Sequence, residues 1–302
     1  MIDSSPALAR LADSVAGGDR RALARAITLV ESTRADHRRE AETLLGLLRE
    51  RTGGAARIGI SGAPGVGKST FIERFGLHLV DAGHRVTVLA VDPSSRRGGG
   101  ALLGDKTRMP DLADHPAGYV RPSPAGDTLG GVARRTREAM LVCEAAGFDV
   151  VVVETVGVGQ SETAVAEMVD MFTLLLAPGG GDELQGLKRG IVELADLIVV
   201  SKADGALADT ARALAADYTA ALRLLRPSAP GLETRVLICS ALEGTGIAEV
   251  WAAIEDRRLA LARDGGIARR RAGQARAWLW SEIDQALGDA FRVHPGVAAR
   301  IA

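Results

Sequence analysis

Gly62-Ala63-Pro64-Gly65-Val66-Gly67-Lys68-Ser69 follows directly on the apolar stretch Ile58-Gly59-Ile60. The octapeptide is G-x-x-x-x-G-K-[ST], and its setting predicts a strand, a tight loop and a helix in that order. The glycines let main-chain N–H groups close around a phosphate where a Cβ would clash. Lys68 sets a compact positive charge against the β- and γ-phosphates, and Ser69 offers a hydroxyl to Mg2+. The helix starting near Lys68 turns its positive end toward the anion. Gly62, Ala63, Pro64, Gly65, Val66, Gly67, Lys68, Ser69 and Thr70 are therefore the candidate phosphate-binding residues. A glycine-rich turn that binds nothing is the alternative, and four fixed positions between a strand and a helix argue against it.

The rest of the chain supplies the fold that such a loop needs. Apolar runs at Ile58–Ser61, Arg85–Asp92, Phe148–Thr155, Met171–Ala177, Leu197–Ser201 and Arg235–Ser240 alternate with helical stretches. They are apolar throughout rather than every second residue, as expected of strands buried on both faces. The predicted fold class is α/β, a mostly parallel central sheet flanked by helices. Residues 1–52 read as a helical N-terminal extension. Leu8, Leu11, Ala12 and Val15 share one face, Asp19 caps a second helix with Leu23, Ile27 and Val30 inward, and Ala41, Leu44, Leu45 and Leu48 mark a third. Residues 53–262 form the nucleotide domain. Gly265-Gly266 then breaks the chain, and residues 263–302 read as a helical arm. Its Trp278 and Trp280 pack either on their own domain or on a second subunit.

Composition narrows the partners. The 302 residues carry 37 basic and 38 acidic side chains, so no global basic field invites nucleic acid. No apolar run approaches the roughly 20 residues that span a bilayer, so no membrane is expected, and the first residues do not read as a signal peptide. The two cysteines, Cys143 and Cys239, lie in apolar surroundings and are expected as buried thiols in a reducing cytoplasm.

Acids at strand ends supply the metal candidates. Asp92 closes a strand beside the phosphate loop, Asp105 ends a glycine-rich segment, and Glu154 closes another strand. Carboxylates so placed hold Mg2+ directly or through water. Glu154 also opens Glu154-Thr155-Val156-Gly157, which resembles the D-x-x-G element of G proteins with Glu for Asp. Gly157 would then present its N–H to the γ-phosphate. Ser201-Lys202-Ala203-Asp204 resembles the guanine-reading N-K-x-D. A carboxylate at Asp204 accepts from guanine N1–H and the 2-amino group, and adenine offers neither pair. Ser201 stands where Asn is usual, which predicts a weakened supporting hydrogen bond. Ser240, Ala241 and Leu242 resemble the S-A-[KL] element that meets guanine O6. Order and placement together point to GTP rather than ATP.

With these motifs in place, the chain resembles the methylmalonyl-CoA mutase-associated GTPases, the MeaB/ArgK group of the signal-recognition/MinD-type branch of P-loop proteins. The match is carried by Gly62–Thr70, Leu89–Ser95, Leu103–Met109, Glu154–Glu162, Pro178–Gly190 and Ser240–Gly246. The resemblance implies a homodimeric, Mg2+-dependent GTPase that holds GTP or GDP. It implies a partner too, an adenosylcobalamin-dependent acyl-CoA mutase whose cofactor loading it gates and which it protects. It also implies that Asp92, Asp105 and Glu154 form the magnesium site. The loop Pro178–Lys188, with Asp182, Gln185 and Lys188, would relay the nucleotide state. Lys68, Glu154, Gln185 and Lys188 are thus the catalytic candidates; no residue is singled out to orient the attacking water beyond Gln160, by type alone.

Three other readings meet specific objections. A nickel-enzyme metal-insertion GTPase wants a His-rich start or a poised Cys/His pair, and the first histidine here is His37. A small-molecule kinase gains nothing from Asp204. A module that binds GTP without turnover is separated by phosphate release. The chain lacks a D-x-H-x-x-G motif, so cobalamin is not expected to bind directly.

Overall fold

A computed structural model of the chain describes residues 5–91, 109–122, 129–155, 161–179, 189–223 and 232–293. The chain divides into two compact units, Met1–Ala260 and Leu261–Ala302.

The first unit opens with helices α1 (Ser5–Ala16), α2 (Arg20–Glu31) and α3 (Ala35–Leu48). Their boundaries follow the predicted signals: the Asp19 carboxylate accepts the Ala22 N–H at 2.6 Å, capping α2. Leu8, Ala12, Val15, Leu23, Ile27, Val30, Ala41, Leu44 and Leu48 are buried, and Leu11 and Leu45 are partly so. There follow β1 (Ala56–Gly62), α4 (Lys68–Asp81), β2 (Val86–Val91), the short α5 (Pro110–Asp114) and β3 (Gly118–Pro122). Next come α6 (Leu129–Ala145), β4 (Val150–Thr155), α7 (Ser161–Ala166), β5 (Met171–Leu176), α8 (Arg189–Leu194) and β6 (Leu197–Val200). Then follow α9 (Ala208–Leu222), β7 (Arg235–Ile238) and α10 (Ile247–Arg263), the last of which runs across the unit boundary.

The strands form one parallel sheet in the order β3-β2-β4-β1-β5-β6-β7. Its two faces support two apolar clusters, with alternate residues of each strand going to opposite sides. Val151, Phe172 and Ile198 join α6 and the three N-terminal helices, whereas Ile58, Val152 and Val199 join α4 and α10. Six strands fall on the predicted runs: β1 extends beyond its run at both ends, and the other five are one or two residues shorter than theirs. The seventh, β3, was not predicted. Gly118-Tyr119-Val120-Arg121-Pro122 has one aliphatic side chain and a proline, which an edge strand tolerates.

Ion pairs fasten the N-terminal helices. Arg38 grips Glu138 of α6 at 2.9 and 2.6 Å, and Arg121 of β3 reaches Glu31 of α2 at 2.5 Å. All but about 1% of the Glu138 side chain is hidden from solvent, so losing Arg38 would strand a carboxylate at a cost of about 3–5 kcal/mol.

In the second unit, α11 (Gly266–Val293) starts after Gly265, whose φ of +65° ends α10. Leu279, Trp280, Ile283, Leu287 and Phe291 are exposed on α11, and Trp280, Ile283, Leu287 and Phe291 share one stripe at helical spacing. Trp278 is half-buried and donates its indole N–H to Glu282 at 3.2 Å.

Candidate nucleotide-binding site

In a parallel sheet, ligands gather at the carboxyl ends of the strands. Four loops meet that description here. β1 runs into Gly62–Gly67 and then α4, which begins at Lys68 with Gly67 as its N-cap. Gly65 and Gly67 have φ of +78° and +96°, a region that other residues avoid. The Lys68 ammonium is buried and donates to the carbonyls of Gly62 (2.8 Å) and Ala63 (3.1 Å). Ala63 is half-buried, Pro64 and Gly65 are exposed, and Val66 is buried beneath them; Ser69 is half-buried and Thr70 exposed.

β4 ends at Glu154 and Thr155, and both are buried. Ile60 of β1 lies beside Glu154 in register, which carries this acid to the foot of the loop. The Ser69 hydroxyl donates to Glu154 Oε1 at 3.3 Å. One residue on, Thr155 donates its hydroxyl to Ser61 Oγ at 2.9 Å. Hydroxyl and carboxylate oxygens side by side are hard donors suited to Mg2+. Among the described residues no group of three or more His, Cys, Asp or Glu side chains is arranged to hold a metal. Asp92, Asp105, Gly157, Gln160, Asp182, Gln185 and Lys188 lie outside the described residues.

β6 ends in the turn Ser201–Asp204. Ser201 is buried, and its hydroxyl sits 2.8 Å from the Val66 carbonyl and 3.1 Å from that of Leu176. At this position the serine hydroxyl makes a direct bond to the phosphate loop. Lys202 has φ +56°, the only positive φ among described residues other than glycine. Its ammonium donates to the Gly65 carbonyl at 2.6 Å. Such a conformation costs of order 1 kcal/mol, and here it lays the lysine stem along the loop. Asp204 is half-buried and accepts a hydrogen bond from the hydroxyl of Ser240, which follows β7. Glu243 N–H donates to the same hydroxyl at 3.1 Å. The Ser240 N–H bonds the Thr245 carbonyl at 3.0 Å. Ala241 is half-buried and Leu242 is 76% exposed. Cys239 lies behind this loop. Burial, and then the Asp204 charge, push its thiol up to about 12.

The structure thus brings Gly62–Thr70, Glu154, Ser201, Lys202, Asp204 and Ser240–Leu242 to one edge of one sheet. Sequence reasoning missed the ties between these segments, such as Thr155 to Ser61 and Lys202 to Gly65. They join residues about a hundred positions apart in the chain, and no local pattern marks them.

A parallel sheet whose first strand feeds this loop, with an acid ending β4 and a Lys-x-Asp turn ending β6, is the framework of a P-loop GTPase. The family model described as methylmalonyl Co-A mutase-associated GTPase MeaB matches residues 23–295, and the chain belongs to that family. A Caulobacter vibrioides relative named as a GTPase is 59% identical over 284 residues, covering 94% of this chain and 87% of its own length. A Mus musculus protein named methylmalonic aciduria type A homolog, mitochondrial, is 49% identical over 302 residues, covering 97% of this chain and 73% of its own. The crystal structure of a LAO/AO transport system kinase superposes with a TM-score of 0.83 at 40% identity, covering 98% of this chain and 89% of that one. Among the described residues no helix is long and apolar enough to cross a membrane.

Proposed function

We propose that this GTPase serves an adenosylcobalamin-dependent acyl-CoA mutase, gating its cofactor loading and protecting it from inactivation. The match to mutase-associated GTPases over residues 23–295 carries the reading. The chain binds GTP and GDP, not cobalamin. Gly62–Thr70 hold the phosphates and Lys68 neutralises charge that grows on the transferring phosphoryl group. Asp204 reads guanine, with Lys202 along the base, Ser201 beneath, and Ser240, Ala241 and Leu242 closing the loop. Ser69 and Glu154, with Asp92 and Asp105, would hold Mg2+, which would supply positive charge against the phosphates. Gly157 senses the γ-phosphate, and Gln185 and Lys188 pass the nucleotide state to the mutase.

The working division is residues 1–52 as helical extension, 53–262 as GTPase domain and 263–302 as arm. The arm pairs two copies through the face that bears Trp280, with Trp278 beside it. Its first half carries Arg269, Arg270, Arg271 and Arg276 and its second Glu282 and Asp284, a charge order that suits antiparallel pairing. Two free, buried thiols fit a cytoplasmic protein.

The test is the rate of GTP hydrolysis with and without the candidate mutase, for wild type and Lys188→Ala. The mutase is expected to stimulate the wild type and to stimulate the variant much less, while GDP affinity of the free variant stays near wild type. If no acyl-CoA mutase binds or stimulates the wild type, the mutase-partner reading fails and the GTPase remains.

A further inference from the structure

Two consecutive carbonyls at the tip of the phosphate loop are held by two consecutive side chains from the end of β6. Lys202 Nζ donates to the Gly65 carbonyl at 2.6 Å, and the Ser201 hydroxyl lies 2.8 Å from the Val66 carbonyl. Ser201 is itself anchored. It is 3% exposed, and its N–H donates to the Leu176 carbonyl, at the end of β5, at 2.7 Å. A serine hydroxyl has one proton. Of the two carbonyls it faces, Val66 is the nearer, at 2.8 Å against 3.1 Å for Leu176, so the hydroxyl proton is directed to Val66. The backbone bond that opens α4 runs from Phe71 N–H to the Gly67 carbonyl, one residue past Val66. Ser201 therefore supplies the hydrogen bond that the helix does not.

The base-reading carboxylate has separate support. Asp204 is held by the Ser240 hydroxyl, which Glu243 N–H fixes in turn. From this separation we infer that Ser201 is a positioning residue for the phosphate loop and takes no part in reading the base. Gly65, at φ +78°, has no side chain to restrict it, so the loop tip is ordered by its tethers. The hydroxyl at Ser201 thus sets the geometry in which the loop N–H groups meet a diphosphate. Its contribution is common to every nucleotide that shares those phosphates.

The inference rests on the nucleotide site proposed above, and the experiment separates the two. GDP and IDP dissociation constants are measured by calorimetry for the full chain, wild type, Ser201→Ala, Ser201→Thr and Ser201→Val. IDP lacks only the 2-amino group, so the IDP/GDP ratio reports Asp204. Thr and Val have the same shape and differ in the hydroxyl, which controls for packing at a buried site. Ala and Val are expected to weaken GDP and IDP alike, by about three- to tenfold, the range for one hydrogen bond. Thr should stay within about twofold of wild type, and the IDP/GDP ratio should be constant across all four. A ratio that shifts in Ala and Val makes Ser201 a base reader and overturns the inference. So does unchanged affinity in both, or Val binding as tightly as Thr. Wild type that binds neither nucleotide overturns the nucleotide site itself.

Discussion

Asp204→Asn tests the guanine fork with a magnitude that the structure helps to set. The Ser240 hydroxyl accepts from Glu243 N–H at 3.1 Å and donates its one proton to Asp204 Oδ2. In the variant that hydroxyl still needs an acceptor, so the amide oxygen stays on the Ser240 side and the NH2 takes the Oδ1 position. One guanine donor then faces a donor. The loss is one charge-assisted hydrogen bond, about 1.5–3 kcal/mol, plus a stranded polar pair at about 1–3 kcal/mol. A combined cost of about 2.5–6 kcal/mol lowers GDP affinity by roughly seventyfold to more than ten-thousandfold. Xanthine carries a carbonyl where guanine has the 2-amino group, so the same NH2 finds an acceptor. Titration calorimetry with GDP and XDP on both proteins gives the answer. GDP affinity within about threefold of wild type, or XDP no tighter than GDP in the variant, refutes the assignment of Asp204.

Lys68→Ala should abolish measurable GTP hydrolysis in a phosphate-release assay, and Glu154→Ala should raise the Mg2+ concentration for half-maximal turnover; an unchanged Mg2+ dependence removes Glu154 from the metal site. Burial is the main cause that pushes Cys143 and Cys239 up to about 12, so both are protonated at pH 8, and iodoacetamide followed by mass spectrometry should label neither thiol in the native protein and both after unfolding. A Cβ at Gly118 would sit 2.1 Å from the backbone oxygen of Leu112, and Gly118→Ala should destabilise by about 1–3 kcal/mol in urea unfolding. Deleting residues 264–302 should yield a monomer by light scattering that still binds GDP, whereas a dimeric product moves the subunit contact off the arm.

What could be read from the chain was what local pattern encodes. Lys68 and Ser69 follow Gly67 at fixed spacing, and runs such as Val150–Val153 are too apolar for any place but a covered sheet. Asp19 and Gly265 announce helix ends by residue type alone. β3 escaped because Arg121 and Pro122 interrupt the apolar run, although Tyr119 and Val120 are buried on its two faces. Arg121 finds its reason in Glu31, ninety residues away. Ser201 looked like a loss relative to asparagine because a motif records which residue is usual, not which carbonyl lies within reach. The Val66 carbonyl is 135 positions from Ser201 in sequence and is brought close only by sheet order.

That sheet order has a mechanistic consequence. β1 lies between β4 and β5, with β6 one strand further, so the phosphate loop leaves β1 flanked by the ends of its neighbours. β4 ties to it through Thr155–Ser61 and Glu154–Ser69, and β6 through Ser201–Val66 and Lys202–Gly65. The loop is therefore shaped by the strand that carries the proposed metal acid and by the strand that carries the proposed base reader. A rearrangement at either strand end alters phosphate geometry without touching the nucleotide, and coupling of this kind works in both directions. By the same linkage, nucleotide seated at the loop is coupled to the ends of β4 and β6.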